Sequence, residues 1–540
     1  MTPRRLAGIG AFTLASALLL SACGSSGSDD SDSAATGDDA AAGTGIVSVS
    51  SGEPQNPLTP GMTNEVYGGL VVKNIYSGLV YYDADGAIQN EVAESIESED
   101  NKTWTITLQD GWTFSDGTPV TASSFVDAWK YTANLENAQN QQYFFNGFEG
   151  FSFEENSDIA VEATDDLTIT AELSVPSADF PLWLGYSAFY PLPESFFENP
   201  DSFNEEPVGN GPYVIDSWTH DQEISLVPNE SYEGPRTPAN GGLDLVAYTE
   251  EDTAYNDLLG GNLDVLPNVP SSAFATFEDE LGDRAVNQPA ALIQVVNVPE
   301  WLPEFQGEAG VMRRQAISLS IDRDTITEQL YSGSRTPAKD FTSPVIDGYS
   351  EDIPGSEVLT YDPEQAKELW DEAESMDPIG DYTLNIASNA DSDHQDWIDA
   401  VCTTIRQDLE IGCEFAPYTT FDEFLDARDN GKVEGLFRGG WQADWPSMSN
   451  FLGPIYGTGA GSNDAQYSSE AFDAKLAEAA AAPDTDTATT LYKEAQEILF
   501  ADLPGIPLWY QNATGGYSEN VENVAFGWDS DPILYQISKQ

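Results

Sequence analysis

The sequence predicts an α/β fold of two or three packed domains, on three observations. From Ile46 onward, short period-two strand patterns alternate with helical ones. Strand-rich segments at the beginning and end flank a helix-rich middle that starts near residue 300. A chain of 540 residues with 12 Trp, 25 Phe and 23 Tyr has the length and apolar bulk for large cores. No solenoid period is present.

In chain order, Trp104, Ile106 and Leu108 alternate in KTWTITLQ, the pattern of a half-buried strand. WTFSDGTPVTASSFVDAWKYT supplies a Ser-Asp-Gly turn and then a helix with Phe125 and Trp129 four apart. Leu167, Ile169, Ala171 and Leu173 mark another strand. Near 207–232 a glycine-rich turn leads into a hairpin, followed by the strand patterns LDLVAY and LIQVVNV. VMRRQAISLSIDRDTITEQLYSG reads as two helices with Asp322 capping the second. In YDPEQAKELWDEAE, Asp362 caps, Pro363 takes the first helical position and Gln365 completes a capping box. Ala366, Leu369, Trp370 and Ala373 then share one apolar face. TLNIAS opens a strand–helix–strand unit through a helix over 398–409 with Gly412 as its stop. Helices from Ser469 and about Asp486 precede the strand IPLWYQN, and the last 30 residues are strand- and turn-like.

Residues 1–23 read as an export signal: Arg4 and Arg5 precede an apolar run, Leu6 to Leu20, too short to span a membrane comfortably. The run ends Leu20-Ser21-Ala22-Cys23-Gly24, which resembles a bacterial lipoprotein signal; that resemblance implies Cys23 as the lipidated first residue after cleavage. Residues 24–45 contain only small and acidic or hydroxyl residues, with nothing to offset the entropy of ordering, and read as a tether of about 25 Å reach. Cys402 and Cys413 are the cysteines that remain; outside the cytoplasm one disulfide is expected, against two buried thiols.

With 92 acidic against 20 basic residues the net charge is −72. Such a surface repels nucleic acid and anionic lipid. An exported hydrolase is disfavoured: there is no Gly-x-Ser-x-Gly elbow and no phosphate loop, and His220 and His394 are the sole histidines. No thiolate zinc cluster can form, so neither a metal nor a cofactor is expected, and no enzyme activity.

The site candidate is Arg438-Gly439-Gly440-Trp441-Gln442-Ala443-Asp444-Trp445-Pro446. Its glycines allow close backbone approach, Trp441 and Trp445 offer flat walls, and Asp444 and Arg438 supply an anion and a cation six residues apart. A zwitterion needs that inventory; the plain alternative is that Asp444 is a turn residue before Trp-Pro.

Taken in order, the blocks VAESIESEDNKTWTITLQDGWTFSDGTPVTASSF, PVGNGPYVIDSW with LVPNESYEG, RRQAISLSIDRDTI, YDPEQAKEL, and GGWQADWP followed by Tyr467-Ser468-Ser469 resemble the family 5 extracytoplasmic solute-binding proteins, the peptide receptors of ABC importers. The resemblance implies a two-lobed flytrap of the type II periplasmic-binding class with an extra domain inserted in the first lobe. On that reading 46–90 and 201–300 build lobe I around an inserted domain at 91–200, 301–505 form the second lobe, and 506–540 return to lobe I. It implies that Asp444 pairs with a peptide α-ammonium, that the backbone of Gly440, Trp441 and Gln442 pairs with the peptide main chain, and that Arg438 helps neutralise its carboxylate. His394 falls near a histidine sharing that job, or is a surface histidine beside Asp391, Asp393 and Asp396. Tyr143 is a candidate wall from the inserted domain, or a core tyrosine. The family's lysine near the end of the helix at 322–331 has no counterpart, and in NPLTPGMTNE no acid stands at the place where some members carry one. The implied protein is a monomeric, lipid-anchored receptor on the extracytoplasmic face of the cell membrane, delivering short peptides to a permease. Alternatives on the same fold are a receptor for nickel chelates, sugars, opines or antibiotics, or a peptide sensor.

Overall fold

The computed structural model describes residues 44–392 and 394–540, so the segment 1–23 with Cys23 and nearly all of the tether lie outside the described residues. Two 13-residue strands, Ala285–Asn297 and Gly505–Tyr517, pair antiparallel and form the spine of an 11-stranded sheet. One register run joins Ala285–Pro289 to Asn512–Gly516 and another joins Ile293–Asn297 to Gly505–Tyr510, with irregularities between them. On one side lie Leu436–Gln442, Thr383–Asn389 and Gly412–Tyr418; on the other lie Val265–Leu266, Ile46–Ser51, Gly242–Ala247, Glu223–Pro228 and Tyr213–Thr219. Arg335–Pro337 pairs with Gly505–Tyr517 off this path.

The sheet serves two large apolar clusters. One gathers residues from Val47 to Ala290 and from Ala513 to Ile537; the other runs from Ala291 to Tyr510 and adds Trp528. Each fully buried large side chain in them contributes roughly 1.5–3 kcal/mol. Within the first cluster a separate four-stranded sheet, Ala93–Ser98, Thr103–Leu108, Thr168–Glu172 and Val161–Asp165 in that spatial order, packs under the helix Ala122–Ala133. Thr121 and Ser124 close a capping box at that helix start. Four residues apart on its buried face, Phe125 and Trp129 meet edge to face; Trp129 also packs on Phe148 and Phe189 and donates its indole N–H to the Phe189 carbonyl at 2.9 Å.

The middle of the chain is helical for the reasons its sequence carries. Asp322 accepts the Thr325 amide at 3.0 Å and starts Arg323–Tyr331. Asp362 accepts the Gln365 amide at 3.0 Å, Pro363 takes the first position, and Pro363–Met376 buries Ala366, Trp370 and Ala373. The helix Gln395–Leu409 ends at Glu410, whose φ of 59° provides the left-handed cap, and Gly412 instead opens the next strand. The Cys402 and Cys413 sulfurs are bonded at 2.02 Å, tying that helix to that strand. Ser469 and Asp484 cap the helices Glu470–Ala480 and Thr485–Asp502. Among the described residues, no helix is long and apolar enough to cross a membrane.

Candidate functional site

The strand Leu436–Gln442 has one paired edge and one largely bare edge. Toward Ala285–Asn297 it is paired from Phe437 opposite Asn297 to Gln442 opposite Leu292. Toward Thr383–Asn389 it pairs only through Leu436 and Phe437, so over Arg438–Gln442 no strand of the described residues covers that edge. Bare N–H and C=O groups on an extended backbone are a template for an added strand. Gly439 allows close approach, since a Cβ there would lie 2.4 Å from Asn297 Nδ2 and 2.9 Å from Val295 Cγ2 and would force those side chains to move.

Just beyond the strand, Asp444 enters a cavity of about 370 Å³ lined by residues of both apolar clusters or packed beside them. Asn450, itself buried, sets the carboxylate. Its Oδ1 accepts the Asp444 amide at 2.9 Å and the Trp441 indole N–H at 3.1 Å, while its Nδ2 donates to Asp444 Oδ2 at 3.1 Å. Burial pushes the Asp444 carboxyl up to about 6, and the Asn450 bond offsets only part of this. No Lys, Arg or His among the described residues pairs with it.

The cavity wall is tyrosine-rich, with Tyr82, Tyr143, Tyr186, Tyr190 and Tyr535. Tyr143 is 47 % exposed and faces this void, so the core alternative for it does not hold. Burial raises the Tyr82 and Tyr186 phenols well above their ordinary range, and the Asp444 charge adds to the rise at both. Glu65 lies at the rim, where it caps the helix Val66–Ile75 through the Tyr67 and Gly68 amides. Arg236 is satisfied by the fully buried Glu91 at 2.7 Å.

Of the residues singled out in the sequence, Asp444 and Gln442 line this cavity together with Tyr143. Gly440 and Trp441 face a second cavity of about 180 Å³ beside the same strand, whose wall carries the Arg428–Asp464 ion pair at 2.9 Å. Arg438 lines neither cavity. It is half-buried, its Nε has no hydrogen-bond partner, and burial with the nearby Arg428 pushes its guanidinium down from the usual range. His394 sits at the start of Gln395–Leu409 and accepts the Trp397 indole N–H at 3.2 Å, away from Asp444's cavity. Trp445 packs on Trp183 and Phe144 and does not line the cavity.

Sequence reasoning missed Lys73, Asp529 and Asp531, which share that cavity. The doublet Asp529-Ser530-Asp531 was the available signal, hidden among 92 acids.

A sheet serving two apolar clusters, with a cavity lined from both and a bare strand edge beside it, suits a protein that binds a solute. The chain belongs to the bacterial extracellular solute-binding proteins, family 5, whose model matches residues 87–463. It is similar to the oligopeptide-binding protein OppA of Bacillus subtilis, 26% identical over 529 residues covering 94% of each chain. Among solved structures, HbpA2 from Haemophilus parasuis matches with a TM-score of 0.79 at 20% identity, covering 92% of this chain and all of that one. DppA from Helicobacter pylori in complex with the peptide STSA matches at 0.73 and 21% identity, covering 92% and 98%. These are mixed α/β folds of the type II periplasmic-binding class, and this chain shares that fold.

Proposed function

We propose that the chain is the substrate-binding receptor of an ABC importer and that its ligand is a short peptide held in extended form. The observation that carries this reading is Asp444: a largely buried carboxylate with no cation partner among the described residues, at the end of a bare strand edge and lining a cavity. An uncompensated buried charge costs several kcal/mol, and a peptide α-ammonium removes that cost. The main chain of the peptide then adds to Arg438–Gln442 as a strand, which ties affinity to the backbone more than to side chains. Arg438, with its unsatisfied Nε, is assigned to the carboxylate end; four residues of strand separate it from Gln442, about 13 Å. Gly440, Trp441 and Gln442 form the pairing edge and Tyr143 a wall. His394 is proposed to share the ligand carboxylate with Arg438. The lobes are proposed to close by a shift in population that contacts to both sides favour.

In the same reading the receptor is a monomer lipidated at Cys23, standing on the extracytoplasmic face of the membrane and passing its ligand to permease subunits. Calorimetric titration with trialanine and with its N-acetylated form tests the proposal. Trialanine binds and the acetylated peptide binds at least about tenfold more weakly. Equal binding of the two, or none of either, rejects it.

A further inference from the structure

We infer that the cavity selects peptides whose first residue carries a cationic side chain, and that Asp531 is the residue that sets this preference. The inference rests on the peptide reading above and names the class of peptide that the site takes.

The observation is a charge imbalance built into the cavity wall. A tight turn at 527–531, held by the Gly527 amide donating to the Asp531 carbonyl at 2.8 Å, aims two carboxylates at one ammonium. Lys73 Nζ lies 2.8 Å from Asp529 Oδ2 and 2.6 Å from Asp531 Oδ2. One positive charge faces two negative ones, so the trio carries a net charge of −1. Lys73 is committed to its two partners and is not available to an anionic ligand group.

The remaining charged groups of the wall are held in place by other partners, and none of them adds a free cation. Arg236 is neutralised by Glu91 at 2.7 Å. Glu65 caps its helix through backbone amides, and Asp83 Oδ1 accepts the Asp85 and Ala87 amides. Asp444 takes the peptide ammonium. After that pairing the trio's excess negative charge remains in the cavity wall, together with the carboxylates of Glu65 and Asp83.

The trio and Asp444 share that space. Gln442 Nε2 donates to the Asp529 carbonyl at 3.3 Å, joining the turn to the site strand. The Tyr82 phenol feels both Asp444 and Asp529, and the Tyr186 phenol feels both Asp444 and Lys73. A side chain leaving a residue anchored at Asp444 therefore runs past aromatic rings toward Asp529 and Asp531. Rings backed by carboxylates favour an ammonium or guanidinium and disfavour a carboxylate.

Asp531 is singled out over Asp529 by its surroundings. Asp529 Oδ1 already accepts the Asp531 amide at 3.2 Å, and the Asp531 side chain is the more exposed of the two, 29 % against 19 %, so Asp531 is the carboxylate a second cation reaches. The test is calorimetric titration of the full chain with lysyl-alanyl-alanine, trialanine and glutamyl-alanyl-alanine. The lysyl peptide is expected to bind about tenfold tighter than trialanine, and the glutamyl peptide weakest. In Asp531→Asn the lysyl-to-alanyl ratio falls to near one. Lys73→Gln, which removes the internal ammonium, widens that ratio and serves if the first variant fails to fold. Equal binding of all three peptides, a preference for the glutamyl peptide, or a lysyl preference that survives Asp531→Asn overturns this inference and leaves the peptide reading standing. Failure of all three peptides to bind overturns both.

Discussion

Ser447 Oγ donates to Asp179 Oδ2 at 2.6 Å, joining the region of the small sheet to the turn that presents Asp444. The link is not isolated. The Ala178 amide donates to the Ala480 carbonyl at 2.9 Å, Asn101 Nδ2 donates to the Ala482 carbonyl at 2.7 Å, and the Trp183 and Trp445 rings lie 5.8 Å apart. The two contacts to backbone carbonyls reach the segment around Ala479 and Ala482 in the second cluster, and the Trp445 ring seats this turn on the first cluster, none of it through the long strands, so separation of the clusters has to break these links.

Asp179→Ala should therefore favour the open arrangement. The residue stands before the short helix Phe180–Trp183 but makes no capping bond to it, so its removal spares that helix. A hydrogen bond to a charged group is worth about 1.5–3 kcal/mol, which sets an upper bound near a hundredfold on the population change. Small-angle scattering of the ligand-free variant should give a larger radius of gyration, with peptide affinity two- to tenfold lower. An unchanged radius would show that the contact does not bias closure.

The pH behaviour follows from Asp444. Its carboxyl, raised to about 6 by burial, binds more protons in the folded chain than in the unfolded one between its ordinary value and about 6. Ligand-free stability contributed by this group is thus highest at low pH and falls as pH rises through that window. Asp444→Asn removes the fall and should raise neutral-pH stability by about 1–3 kcal/mol, read from urea melts at pH 7. Peptide binding moves the opposite way. The ammonium needs the carboxylate, so affinity declines as pH drops below about 6, and proton release accompanies binding there. Asp444→Asn loses both the affinity and the proton release.

How much of this was written in the chain differs by residue. Asp444, Gln442 and the glycines could be read because the strand and its turn are contiguous, and local spacing survives folding. The long strands could not be read at full length. LIQVVNV and IPLWYQN carry the apolar pattern, whereas 285–291 includes Pro289 and 512–517 includes Gly515 and Gly516; these stretches are held extended by pairing with each other. Lys73 and its two acids are more than 450 residues apart in sequence, and nothing local marks an aspartate whose partner is supplied by the tertiary fold. Arg438 shows a further limit: it lies on the same strand as Gln442 and yet lines neither cavity, which spacing along the chain could not reveal.

The disulfide closes a short loop between a helix and its following strand, with a sequence separation of 11. Loop-closure entropy for that length amounts to about 3 kcal/mol of denatured-state destabilisation. Joint replacement of Cys402 and Cys413 by alanine should lower stability by roughly that amount or more, because both side chains are buried beside Ile398 and Leu384 in the second cluster. Peptide affinity should change little, since neither residue lines the cavity. A loss of affinity larger than the loss of stability would place this unit in the closure motion.

Asn450 is the position where stability and binding are tied together. Its side chain is almost fully buried and holds the Trp441 indole, the Asp444 amide and the Asp444 carboxylate at once. Asn450→Ala leaves two buried donors without acceptors and frees the carboxylate to rotate, at a cost of about 2–4 kcal/mol by the price of unsatisfied groups. Losing the bond that offsets burial also drives the Asp444 carboxyl further up, so the variant should require a higher pH to bind peptide. Titrations from pH 5 to pH 8 would show the midpoint of the affinity profile displaced upward relative to the wild type. A variant that loses stability without moving that midpoint would mean that Asn450 only packs the turn and does not tune the carboxylate.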